Sequence, residues 1–537
     1  MRVAMLAAVA ACLGARGSEP AFSFRDVSRE AGILPHLSGM RGHSAAWGDV
    51  DGDGWVDLYV GTFFEEGSKA NVFLRNDRGK FRLDEQEHLR TTGCASGSIF
   101  ADLDNDGDLD FYLSNVSKRG PTGTLNLLFR NDGGGKFTDI SKSAGTSPDA
   151  FKGRSVAAID FDGDGLLDLA AGEDHAYGSV KRSRLFRNKG NLLFEDATEA
   201  AGLPGTLCGL GVAAGDVNND GWPDLFFAGR DASNVLFLNE RGKFREWPGS
   251  RKLFAWTFET GDDSACGVTL VDVNRDGLLD ILVGHHFKRP WMKPVPVRLF
   301  LNRGVKGADP SFEEVTEAAG LVPLWMKAPH VEVQDFDNDG WPDIYVSIVK
   351  FADGKTHPVI FRNLGVRDGV PRFRDDAWAV NDFPTPDEKA LGNTGQLFKR
   401  IIKDRKVEYM APGPTADYDN DGRLDILLVS WWTECGSLLL KNETAGGNWL
   451  QVQVQPGAGV NRMGIGARVG VYRAGTTELL ASREIATGYG YASGQPAVAH
   501  FGLGPAEACD VEVALPHGKG KTVQKGVKAN QRLQVRP

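Results

Sequence analysis

One nine-residue phrase returns seven times along the chain: Asp, any residue, Asp or Asn, any residue, Asp, Gly, two residues, Asp. Its copies are Asp49-Val50-Asp51-Gly52-Asp53-Gly54-Trp55-Val56-Asp57 and the stretches 102–110, 160–168, 216–224, 272–280, 335–343 and 417–425. Successive first aspartates are 53, 58, 56, 56, 63 and 82 residues apart. Repeats of this length bury their apolar faces by stacking on their neighbours.

The flanks recur as well. A small-residue or apolar stretch such as Val156-Ala157-Ala158-Ile159 precedes each acidic phrase, and a second one such as Leu167-Asp168-Leu169-Ala170 follows it. A third segment ends in Asn, as in Leu127-Leu128-Phe129-Arg130-Asn131 and Arg184-Leu185-Phe186-Arg187-Asn188. After a Gly-containing turn comes a fourth, such as Lys136-Phe137-Thr138-Asp139-Ile140. Four short strands per unit, seven times, predict an all-β fold, a seven-bladed β-propeller. An open solenoid of the same strands is the alternative. The 67 glycines among 537 residues, and 30 Phe against 7 Met, suit tight turns and short strands.

The last unit lacks a fourth strand. Phe22-Ser23-Phe24-Arg25-Asp26-Val27, followed by Ser28-Arg29-Glu30-Ala31-Gly32-Ile33, matches the fourth strand and the phrases at 198–203 and 316–321. The N-terminal strand is therefore expected to complete the final blade and remove an open edge. The predicted organisation is an export signal over 1–21, the propeller over 22–446 and a small β domain over 447–537.

The acidic phrase places oxygens at positions 1, 3, 5 and 9 of a turn that Gly at position 6 permits. Calcium takes six to eight hard oxygens at about 2.3–2.6 Å, and this spacing resembles the first part of an EF-hand loop without its helices. The predicted ligands are Asp49, Asp51, Asp53 and Asp57; Asp102, Asp104, Asp106 and Asp110; Asp160, Asp162, Asp164 and Asp168; Asp216, Asn218, Asp220 and Asp224; Asp272, Asn274, Asp276 and Asp280; Asp335, Asp337, Asp339 and Asp343; and Asp417, Asp419, Asp421 and Asp425. Asp, Asn and Gly also make turns without a metal. Yet 26 Asp and 2 Asn crowded into seven turns would repel one another without a cation. About seven structural calcium ions would turn the formal charge of −10 into about +4.

The leader Met1-Arg2-Val3-Ala4-Met5-Leu6-Ala7-Ala8-Val9-Ala10-Ala11-Cys12 is too short to span a bilayer and reads as an export signal. It admits lipidation of Cys12 or ordinary cleavage between Ala15 and Ala21. The expected location is secreted, periplasmic or cell-surface, with no transmembrane helix. The acidic balance argues against nucleic acid. The other five cysteines show no CxxC spacing, which argues against a zinc knuckle. Cys208 and Cys266 begin neighbouring inner strands and are expected either to pair or to be small buried residues.

Non-periodic residues collect on the face opposite the acidic loops. They include Arg41, His43, Glu65, Glu66, Lys118, Glu173, Asp174, His175, Arg230, Asp231, His285, His286, His330, Lys350, Trp431, Trp432 and Glu434. Three readings are open: a polar rim; a glycan or protein site with Trp431 and Trp432 as stacking surfaces; or an enzyme. In the last, His175, His285, His286 and His330 with Glu173 or Asp174 would hold a transition metal or supply acid and base. The insertion over 374–412 reads as a surface loop or a ligand contact, with a charged run at 399–406.

In this context the acidic phrases resemble the FG-GAP or VCBS repeats of integrin-type propellers. Asn461-Arg462-Met463-Gly464-Ile465-Gly466-Ala467-Arg468-Val469, Gly488-Tyr489-Gly490 and His500-Phe501-Gly502-Leu503-Gly504 resemble the ASPIC/UnbV domain. The chain has Met463 where that domain commonly has Asp, and Leu515-Pro516-His517-Gly518 where it usually has Trp-Pro-Ser-Gly. The architecture is similar to the cartilage acidic protein family and its bacterial branch. The resemblance implies a secreted calcium-binding protein and no particular reaction. The expected function is adhesion or recognition of a glycan or protein ligand; the alternative is a secreted metal- or calcium-dependent lyase, hydrolase or oxidoreductase.

Overall fold

The computed structural model describes residues 22–63, 68–117, 125–148, 151–173, 182–229, 234–256, 264–307 and 309–537. Cys12, Glu65, Glu66, Lys118, Asp174, His175, Arg230 and Asp231 lie outside them.

Each repeat folds into an antiparallel sheet. In the third unit Gly153–Ile159 pairs with Asp168–Glu173, which pairs with Arg184–Asn188, which pairs with Phe194–Asp196. Sheets of the same strand order begin at Gly42, Ala95, Gly211, Ala265 and Val331. A further sheet takes Thr415–Ala416, Asp425–Leu428 and Leu438–Asn442 and adds Phe24–Asp26 from the start of the chain, with Phe24 opposite Asn442. The inner strands are rich in Ala, Gly and Ser because they are buried on both faces: every residue of Gly153–Ile159 is buried. The outermost strands are only partly buried, as Phe194 is buried while Glu195 and Asp196 are exposed.

Apolar contacts join consecutive sheets. Tyr59 and Phe73 of the first unit pack with Phe100, Phe111 and Phe129 of the second. Ile159 and Leu185 of the third meet Leu225 and Phe237 of the fourth. Tyr345 and Ile360 of the sixth meet Ile426 and Leu440 of the seventh, and Leu427 and Leu439 of the seventh meet Trp47 and Val60 of the first.

A second tie accompanies this packing. The Asn that ends each third strand is buried, and its Nδ2 donates to a carbonyl in the acidic loop of the preceding unit. Asn131 reaches Val50 O (2.9 Å), Asn188 reaches Leu103 O (2.6 Å), Asn239 reaches Phe161 O (2.9 Å) and Asn302 reaches Val217 O (2.7 Å). Asn363 reaches Val273 O (3.1 Å), Asn442 reaches Phe336 O (2.8 Å), and Asn76 reaches back to Tyr418 O (2.9 Å) in the seventh unit. The same amides bond within their own units, as Asn188 Nδ2 does to Leu167 O (3.0 Å) and Asn188 Oδ1 does to Gly190 N (2.9 Å).

The insertion after the sixth unit is helical. Thr385 and Glu388 form a capping box for Pro386–Ala390, and Asn393 caps Thr394–Asp404, which buries Leu397, Phe398 and Ile401. Arg400 in the basic run pairs with Asp404, and Lys406 pairs with Asp382 (2.7 Å) and Glu388 (3.1 Å). Val407–Tyr409 then adds to the strand Asp343–Ala352.

Residues from Asn448 onward form two further sheets. One orders Ala499–Gly504, Asn448–Val454 and Gln531–Val535; the other orders Leu479–Glu484, Arg468–Arg473, Ala508–Ala514 and Lys521–Lys528. Their core is continuous with that of the second and third units. Cys208 and Cys266, expected either to pair or to be small buried residues, are both buried. Cys266 packs on Leu210, Ala411, Tyr491 and Ala492.

Candidate functional site

The acidic loops share one internal geometry. In the first, Asp49 Oδ1 accepts Asp53 N (3.1 Å), Asp49 Oδ2 accepts Gly54 N (2.9 Å), and Asp53 Oδ1 accepts Trp55 N (2.9 Å). Asp216, Asp272, Asp335 and Asp417 each accept the equivalent Gly N at 2.7–3.1 Å. The position-nine carboxylates are also structural. Asp168 Oδ1 accepts Asn188 N (2.7 Å) and Asp168 Oδ2 accepts Phe161 N (3.1 Å), which ties the second strand to the third and to the loop.

Carboxylate oxygens converge within 4.8 Å at Asp49/Asp51/Asp53, Asp102/Asp104/Asp106, Asp160/Asp162/Asp168, Asp335/Asp337/Asp339 and Asp417/Asp419/Asp425. Among the described residues, all clusters able to hold a metal lie in these loops. In the fourth and fifth loops, Asn218 and Asn274 donate Nδ2 to Asp220 and Asp276 at 2.9 Å. Burial, reinforced by neighbouring carboxylates, pushes Asp102 up to about 7 and Asp110 up to about 8. Asp102 Oδ1 is buried without a hydrogen-bond partner. An oxygen-rich, anionic, under-satisfied cradle fits a hard divalent cation.

A counter-charge escaped the sequence reading. The residue before each stapling Asn is Arg75, Arg130, Arg187, Leu238, Leu301, Arg362 or Lys441. Arg75 reaches Asp51 (3.0 Å), Arg187 reaches Asp162 (2.5 Å), Arg362 reaches Asp337 (2.7 Å), and Lys441 contacts Asp419. These four partners are position-three aspartates, whereas Arg130 pairs with Asp132 (2.7 Å). Where position three is Asn218 or Asn274, the strand residue is Leu238 or Leu301. The four loop positions plus this residue therefore sum to a formal −3 in every unit.

The C-terminal domain covers the acidic loops. Gln451 Nε2 donates to Asp417 Oδ2 (2.8 Å), Arg462 Nη1 to Asp106 O (2.8 Å), Arg468 Nη1 to Asn219 Oδ1 (2.7 Å), Lys519 Nζ to Gly163 O (2.7 Å) and Arg532 Nη1 to Gly54 O (3.1 Å). Met463 Sδ accepts Asp102 N (3.1 Å), and His500 Nε2 lies 2.8 Å from Asn338 Oδ1.

From this cap the segment 488–495 runs between the inner strands. Gly490 N donates to Val268 O (2.8 Å), Ala492 N to Ser155 Oγ (3.0 Å), and Ser493–Gly494 pairs in parallel with Ala45 and Ala46. Gly488 has φ +82, and an added Cβ would strike Val156 O. His330, fully buried, takes Tyr491 N on Nδ1 (3.0 Å), and its Nε2 lies 3.0 Å from Glu332 Oε1. Gln495 Nε2 donates to the same carboxylate oxygen (2.6 Å). Tyr491 Oη lies 3.3 Å from His43 Nε2.

The other candidates on the opposite face are dispersed. His285 is buried against Trp256 and Phe287, and burial lowers it to about 3. His286 packs edge-on to Tyr409, and Glu173 is buried at its strand end. Cavities of about 600 and 470 Å³ are lined by other residues. Half-buried Trp431 contacts His43 (5.1 Å), Phe63 (5.3 Å) and the Arg41 guanidinium (4.0 Å); half-buried Trp432 packs on Phe398 (4.9 Å).

The repeat and cap geometry correspond to known sequence families. FG-GAP-like repeats match residues 49–113, 116–171, 173–227 and 216–283, and the ASPIC and UnbV family matches residues 457–537. The chain thus carries FG-GAP-like repeats within 49–283 and a C-terminal ASPIC and UnbV domain. It is similar to cartilage acidic protein 1 of Mus musculus (27% identical over 498 residues, 88% of this chain and 70% of that protein). The Homo sapiens protein of that name is 28% identical over 500 residues, covering 88% and 68%. Among solved structures, an Agrocybe aegerita protein described as recognising non-reducing terminal N-acetylglucosamine aligns over 62% of this chain and 80% of its own, at 17% identity and TM-score 0.38. The V. cholerae biofilm matrix protein Bap1 aligns over 93% and 70%, at 12% identity and TM-score 0.33. Among the described residues no helix is long and apolar enough to cross a membrane.

Proposed function

We propose that the chain is an exported, calcium-stabilised seven-bladed propeller that recognises a glycan or protein on the face opposite its acidic loops. The ring of asparagine hydrogen bonds supports the propeller, and the equal charge of the seven loops supports one kind of cation. Recognition is carried by Trp431 and Trp432, two half-buried rings each braced by an aromatic neighbour. Braced aromatic surfaces stack on sugars and anchor interfaces at little entropic cost. The enzyme alternative has less support, because His330 is enclosed by Glu332, Tyr491 and Ser493.

The test is binding of wild-type protein, Trp431→Ala and Trp432→Ala to immobilised glycans and extracellular proteins in calcium, with circular dichroism to verify folding. A loss of tenfold or more in a folded variant is expected. Unchanged binding by both variants would remove the assignment.

A further inference from the structure

We propose that the C-terminal domain completes the cation loops from outside, so that cation loading and seating of residues 488–495 are one linked equilibrium. This rests on the cation reading above and adds a role for residues outside the repeats. The domain over 447–537 holds ten Lys or Arg against five Asp or Glu, a net +5 in a chain of −10. Its basic groups grip the acidic loops chiefly at their backbone: Arg462 binds the carbonyls of Asn105 (3.2 Å) and Asp106 (2.8 Å), and Arg532 binds that of Gly54 (3.1 Å) while its Nη2 lies 3.5 Å from Asp417 Oδ2. Gln451 goes further, orienting the buried carboxylate of Asp417 through Oδ2 (2.8 Å).

Groups that orient a metal ligand from behind typically change metal affinity by about 10- to 100-fold. A loop whose shape is fixed by its cation is also the shape the cap binds. Linkage makes the effect mutual: whatever docking adds to cation affinity, the cation adds to docking. The seated segment reports the equilibrium, because unseating it would break the main-chain hydrogen bonds Gly490 N to Val268 O (2.8 Å) and Ala45 N to Ala492 O (3.2 Å).

The experiment uses the whole chain, stripped with EGTA and titrated with calcium chloride. Hydrogen exchange over 486–496 is read alongside calcium affinity from a competing fluorescent chelator. Stripping is expected to speed exchange in that segment at least tenfold. Gln451→Ala is expected to weaken the affected site about tenfold, while Lys525→Gln leaves it unchanged. Calcium binding with identical exchange in 486–496 would overturn this inference alone. Failure to take up calcium at all would overturn the cation reading beneath it. The exchange arm needs only the wild-type chain, so a variant that does not fold leaves the test intact.

Discussion

Replacing Asn188 by Ala removes three side-chain hydrogen bonds: Nδ2 to Leu103 O, Nδ2 to Leu167 O, and Gly190 N to Oδ1. The site is fully buried, so water cannot replace them. A buried hydrogen bond contributes about 1 kcal/mol net, and a stranded buried carbonyl costs about 1–3 kcal/mol. The variant should therefore lose about 3–5 kcal/mol of apparent stability, read as the shift in urea midpoint at fixed calcium. The same change at Asn76 breaks the hydrogen bond to Tyr418 O between the first and seventh units. In a closed ring it should cost about as much as Asn188→Ala. A loss below about 1 kcal/mol at Asn188 would refute the staple. A full loss at Asn188 with almost none at Asn76 would refute closure.

Arg187→Leu should destabilise the EGTA-stripped protein by about 0.5–1 kcal/mol, since its partners are only partly screened. Adding Asp162→Asn should restore most of that loss in a double-mutant cycle by urea unfolding. Gly488→Val forces a β-branched residue to φ +82 and into Val156 O; limited proteolysis should then cut near 486–496 while the wild type resists. His285 is held at about 3 by burial, far below its usual 6.5. Between those values the unfolded chain binds a proton that the folded chain does not, so stability is lost as pH falls from about 6.5 toward 3. His43 and His500, also about 3, add to the slope. His285→Phe should flatten the melting-temperature profile across that window, and an unchanged slope would contradict the burial argument.

The repeated sheets were legible because strands, turns and acidic phrases recur in fixed order, and local pattern sufficed. The terminal Asn of each third strand was equally visible, but its purpose was not. The acceptor of Asn188 lies 85 residues upstream, in another unit. The cap was hidden for a stronger reason: Arg532 meets Gly54 across 478 residues, and no period links them. His330 read as a surface candidate because it precedes an inner strand. Glu332, two positions on, faces the same side and encloses it with the incoming Tyr491. The insertion carried its helix signals in plain view, Thr385-Pro386-Asp387-Glu388 and the buried Leu397, Phe398 and Ile401, but a reading built on strands passed over them.

In sequence, a position-three Asp goes with Arg or Lys before the third-strand Asn, and a position-three Asn goes with Leu, so each unit carries a two-residue code. A single change, such as Leu238→Arg or Asp162→Asn, shifts one site by a full charge relative to its six neighbours. Two compensating changes in the same unit return it to parity. The units can thus exchange one wording for the other while remaining electrically interchangeable. A chimera that transplants a whole unit should keep its cation balance, whereas one that cuts between the acidic phrase and the third strand of mismatched units should not.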